Sequence, residues 1–176
     1  MSRNGVCEAL TAALRERTDW DEAPCLYGMY REHDGVRLSS VMPEGVWPSG
    51  APAQILAGLA ANVSQLRPDA LAALTSPAFF GMAFRTEVWG VRQTAKSDGA
   101  MKAQLRSAIA TVPRPSLHPD RVEQRFMWAV TSDGAHYVAM QIRGERAILA
   151  RKPDEHEGLI PQALECIIRA FTVGAN

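Results

Sequence analysis

RVEQRFMWAVTSDGAHYVAMQIRG, residues 121–144, is the stretch whose reading decides the fold. Val122, Phe126, Trp128 and Val130 line one face of its first half, and Val138, Met140 and Ile142 line one face of its second, at the two-residue period of strands. The turn between the halves fixes whether those apolar sets meet. A two-residue Asp133-Gly134 loop would pair Trp128 with Ala139 and send the sets to opposite sides. A three-residue Ser132-Asp133-Gly134 loop, with Gly134 left-handed, pairs Trp128 with Val138 and Phe126 with Met140, and this register is expected. Gly144 then turns the chain into a third strand, RAILARK.

Upstream, residues 78–91 (AFFGMAFRTEVWGV) form the best single strand. Phe80, Met82, Phe84, Thr86 and Val88 share one face, and Arg85 and Glu87 share the other. CLYGMYREHDGVRLSSVMP gives an earlier hairpin with an open register. A two-residue Asp34-Gly35 loop would set Glu32 opposite Arg37, whereas a three-residue loop would oppose the like charges Arg31 and Arg37.

Helices flank these strands. Residues 4–17 carry Val6, Leu10 and Leu14 on one stripe, with Asn4 placed as a cap. Pro52 suits the first turn of a middle helix whose stripe is Ile55, Leu56, Leu59, Val63 and Leu66, ending at Arg67-Pro68. A short helical turn through Leu71 and Leu74 is expected next. The last helix is expected from Gly158 to Thr172, burying Leu159, Ala163, Ile167, Ala170 and Phe171, with Cys166 alongside as a small hydrophobe. The expected fold is therefore α+β: a mostly antiparallel sheet of five to six strands, with N-terminal, middle and C-terminal helices packed on it. Residues 92–120 read as a helical or flexible insertion in a single domain, 1–176.

Composition narrows the function classes. A chain of 176 residues, 47% apolar and 22% charged, buries a core without staples. Its 19 basic and 19 acidic residues cancel, so no global field draws it to nucleic acid or an anionic membrane. The three cysteines, Cys7, Cys25 and Cys166, are too scattered for a disulfide framework or a zinc knot, and fit a reducing cytoplasm. The N-terminus has no secretory apolar region, and no run is long enough for a membrane helix.

Candidate chemistry is sparse. Asp154, Glu155 and Glu157 around His156 are expected to start the last helix, since Pro161 must lie in its first turn and the helix dipole favours acids there. The sequence lacks zinc-hydrolase, deaminase, dinucleotide and P-loop motifs, so no cofactor is expected. His33 and His136 adjoin the two Asp-Gly turns, where exposed polar residues are expected. Arg85 and Glu87 read as a cross-strand or solvated pair with a catalytic or binding pair as the sharper alternative, and Trp89 and Trp47 are candidate interface aromatics. Lys96, Lys102, Arg106 and Arg114 give residues 92–121 a basic character. That segment is either a helix folded on the sheet or an arm for an acidic or phosphate surface, and it lacks the interleaved aromatics of a nucleic-acid binder.

GMAFRTEVW (81–89) and VEQRFMWAVTSDGAHYVAMQIRG (122–144) resemble segments of uncharacterised small proteins of actinobacteria and their phages. The resemblance carries no active-site motif and implies a small accessory protein, with phage carriage as one origin. The element order is also similar to that of profilin-like and roadblock-like modules, which bind partners rather than catalyse. The leading expectation is a non-enzymatic cytoplasmic protein-interaction module, acting on a protein partner or by self-association. Trp89, Arg85, Glu87, Lys102, Arg106 and Trp47 are the candidate contacts. The alternatives are a small metal-dependent hydrolase using His156 or His136 with nearby carboxylates, and nucleic-acid binding through residues 92–121.

Overall fold

The computed structural model describes residues 3–41, 51–63, 76–91, 121–146, 148–152 and 158–173. In chain order they form α1 (Arg3–Glu16), β1 (Cys25–Arg31), β2 (Val36–Ser40), α2 (Pro52–Val63), β3 (Phe79–Val91), β4 (Arg121–Thr131), β5 (His136–Ile142), β6 (Ile148–Arg151) and α3 (Leu159–Val173). The strands make one six-stranded sheet in the order β2-β1-β3-β4-β5-β6, and every neighbouring pair is antiparallel. The α+β expectation holds, with all three helices in their expected places.

The β4-β5 hairpin adopts the three-residue loop. Trp128 faces Val138 and Phe126 faces Met140, and Gly134 has φ 78°. The Gly134 amide donates to the Thr131 carbonyl, and the Thr131 amide to that of Ala135, each at 2.9 Å. Only glycine takes that left-handed position without a steric penalty, so the turn residue sets the register of the whole hairpin.

Helices cover both faces of the sheet. On one, Val6, Leu10 and Leu14 of α1 close over Cys25, Tyr27, Met29, Ala83, Met127, Ala129, Tyr137 and Ala139. On the other, Leu56 and Ala60 of α2 and Ala163, Leu164, Ile167 and Ile168 of α3 meet Leu26, Met82, Phe84 and Val130. Two covered faces explain why β1 begins with five consecutive buried residues instead of an alternating pattern.

Several local expectations are corrected. The first hairpin takes neither register considered: Arg31 faces Val36 and Tyr30 faces Arg37. Arg37 nevertheless reaches Glu32 at 2.7 Å and lies over the Tyr30 ring, 4.8 Å from its centroid, so the like-charge clash is avoided. Phe80 does not share the face of Met82 and Phe84. The β1-β3 register shifts between Met29 and Tyr30, and this bulge turns Phe80 towards α1 while Phe79 joins the α3 side. A Cβ at neighbouring Gly81 would collide with the Val130 carbonyl and the Met29 methyl, which is why glycine stands there.

α1 begins at Arg3, so Asn4 lies within its first turn rather than ahead of it. In α3 Ala163 and Ile167 are buried as expected and Phe171 packs against the same cluster, while Leu164 and Ile168 join them. Leu159, by contrast, is 47% exposed, and Cys166 lies on the solvent side. No helix among the described residues is long and apolar enough to cross a membrane.

Candidate functional site

The densest polar arrangement lies on the α1 face, where β3 and β4 meet the loop joining α1 to β1. Glu87 of β3 stands directly opposite Arg125 of β4. Arg125 is wholly buried, yet its donors are engaged: Nε bonds Glu87 Oε1 at 2.8 Å, Nη1 bonds the Arg17 carbonyl at 3.0 Å, and Nη2 bonds the Asp19 carbonyl. Its guanidinium also lies 4.6 Å from the Trp20 ring centroid. Arg85, on the same face of β3, is buried as well, and donates to Glu22 and to the Ala23 carbonyl at 3.2 Å.

These two arginines therefore hold one loop by its main chain. The planar guanidinium, with five donors in a fixed fork, suits such spread acceptors better than an ammonium does. Glu87 completes the grip by accepting the Asp21 amide at 2.7 Å. Asp21 adopts φ 67°, a left-handed conformation that aspartate tolerates better than most residues.

Asp21, Glu87 and Glu123 bring carboxylate oxygens within 4.8 Å of one another. Such a trio suits a hard divalent cation in ligand type, although calcium takes about six to eight oxygens. Guanidinium groups already meet these acids. Arg125 meets Glu87, and Arg143 meets both Glu123 and Asp21, the latter at 3.3 Å. The Glu123 carboxylate, followed by Asp21, holds Arg143 still more firmly in its charged form. Trp20 lies between the two cations, 5.5 Å from Arg143. This is the chemistry of a structural clamp.

The sequence-predicted residues divide accordingly. Glu87 does form a cross-strand pair, with Arg125, while Arg85 is drawn inward to Glu22 and is not solvated. Trp89, the next residue on that face, is 45% exposed, with the Arg121 guanidinium 5.1 Å from its ring centroid. Lys102, Arg106, Trp47 and the whole of 92–120 lie outside the described residues, as do His118, His156 and the acids Asp154, Glu155 and Glu157.

His33 is exposed as expected, but His136 is not. Its side chain is buried on the opposite face of the sheet from the acidic trio, with Nε2 2.8 Å from Glu165 Oε1, because α3 closes over the start of β5. An open groove of about 400 Å³ runs past Cys7, Glu8, Thr11 and Arg15. Burial, and then Glu8, push the Cys7 thiol up, which suppresses the nucleophilic thiolate.

Sequence reasoning missed Arg125, Trp20, Glu22, Glu123 and Arg143. One signal was available: Arg125 shares its strand face with Met127 and Ala129, so a charge was entering an apolar stripe. Compared with models of known protein families, with curated proteins and with solved structures, the chain matches none.

Proposed function

We propose that this protein is a non-enzymatic interaction module that works in a cytoplasm, an accessory protein of the kind its sequence resembles in actinobacteria and their phages. The observation that carries this reading is Trp89, held 45% exposed on β3 beneath the Arg121 guanidinium. Tryptophan and arginine are enriched in binding hot spots, tryptophan because it brings large contact area at small entropic cost and arginine because its planar fork binds several acceptors at once. Beside them, Glu87 and Arg125 are tied into the clamp, which keeps the surface preorganised for a partner. Three unbonded cysteines agree with a reducing compartment.

Affinity capture from the native host tests the reading, using the wild type and Trp89→Ala side by side. A partner retained by the wild type and lost by the variant, at unchanged thermal stability, is expected. Recovery of the same proteins in the same yield by both would refute the role of Trp89.

A further inference from the structure

The outer edge of β6 carries a second binding feature, on a surface separated from Trp89 by β4 and β5. β6 ends the sheet, and its residues pair inward with β5: Gln141 with Ile148, Met140 with Leu149, Ala139 with Ala150 and Val138 with Arg151. The direction of the backbone groups follows from the neighbouring ladder. The Thr131 amide bonds the Ala135 carbonyl and the Arg143 amide bonds the Glu123 carbonyl, so odd-numbered residues of β5 face β4 and even-numbered ones face β6. Leu149 and Arg151 then bond to β5, and the amides and carbonyls of Ile148 and Ala150 point away from the sheet.

Among the described residues, the exposed charges along this edge have one sign. Arg146, Arg151 and Lys152 are all exposed. Among the described residues Arg146 and Arg151 make no ion pair, and Lys152 acts only through space on Asp133. Leu149 stands between them, 49% exposed. The opposite edge differs, since its arginine, Arg37, is occupied by Glu32 and Tyr30. Cations on an edge normally discourage pairing with a second copy, because like charges would confront each other across the new ladder. The same cations favour a strand of opposite charge.

We propose that the β6 edge binds an extended acidic peptide segment by strand addition. Main-chain hydrogen bonds to Ile148 and Ala150 supply the register. Arg146, Arg151 and Lys152 select carboxylates, and Leu149 receives an apolar side chain. The proposal rests on the interaction-module reading but uses a different surface, so Trp89→Ala leaves it intact.

The test is fluorescence anisotropy of the full chain with labelled peptides of about eight residues, long enough to span an ordinary strand, alternating glutamate or lysine with valine. The glutamate peptide is expected to bind at least about tenfold more tightly than the lysine one, with affinity that falls as salt is added. Ala150→Pro removes an outward amide without cutting the β5 ladder, and should abolish binding. N-methylating alternate amides of the peptide should do the same while leaving the protein untouched.

Equal binding of the two peptides, no binding by the folded wild type, or indifference to both Ala150→Pro and N-methylation would overturn the proposal. So would sedimentation showing a dimer that Ala150→Pro dissociates, since the occupant would then be a second copy. Loss of peptide binding with a Trp89-dependent partner retained would sink this inference alone.

Discussion

Replacing Arg125 with alanine removes a side chain that is fully buried and binds Glu87, itself only 10% exposed, together with the carbonyls of Arg17 and Asp19. Breaking a buried ion pair from one side strands the other charge, at about 3–5 kcal/mol. Whole domains are stable by roughly 5–15 kcal/mol, so the loss is a large fraction of the total. At about 2–4 °C per kcal/mol for a chain of this length, Tm should fall by about 6–20 °C.

Urea and thermal unfolding followed by circular dichroism give both numbers. Arg125→Lys keeps the charge but not the fork, and should recover less than half of the loss. The double variant Arg125→Met with Glu87→Leu should be more stable than Arg125→Ala, because neither partner is then left charged and alone. A cost for Arg125→Ala below about 1 kcal/mol, the range of an exposed pair, would refute the claim that this residue clamps the loop.

Three further outcomes follow from the same structure. Gly134→Val should cost about 1–2 kcal/mol by forcing a branched side chain into φ 78°; an unchanged urea midpoint would contradict the turn assignment. Burial, reinforced by the neighbouring Cys25 thiol, pushes the Tyr27 phenol up to about 12. The folded state thus holds this proton more tightly than the unfolded chain, whose tyrosines ionise near pH ~10. Its stabilisation is complete below that pH and is lost as pH rises towards about 12. Tyr27→Phe should therefore flatten the alkaline fall in stability, and an identical fall in the variant would assign it elsewhere. Finally, a thiol reagent should modify exposed Cys166 first and Cys25 only on unfolding, as peptide mapping would report, whereas early labelling of Cys25 would contradict its burial.

What the sequence made legible was governed by local rules. Ser132-Asp133-Gly134 permits one register that puts both apolar sets on the same side, and Val6, Leu10 and Leu14 repeat at helical spacing, so both features follow from neighbours along the chain. Phe80 was misplaced because a bulge depends on how β1 meets β3, and Gly81 inside the strand was only a local hint of it. His136 and Cys166 were exchanged for a similar reason. The packing of α3 against the sheet buries the imidazole against Glu165 and leaves the thiol outward. The clamp joins loop residues to side chains on β3 and β4 that lie 62 to 108 positions from their partners, and single-sequence periodicity contains no information at that range.

The central claim is that the polar groups on the α1 face are committed to holding residues 17–23 against the sheet. Amide hydrogen exchange at Asp21, resolved by NMR, tests it most directly, because this residue has a 72% exposed side chain yet an amide bonded to Glu87 at 2.7 Å. Exchange at least about a hundredfold slower than in an unstructured peptide is expected in the wild type, with most of that protection lost in Glu87→Ala. Exchange at the unstructured rate in the wild type, or protection that survives Glu87→Ala, would contradict the clamp.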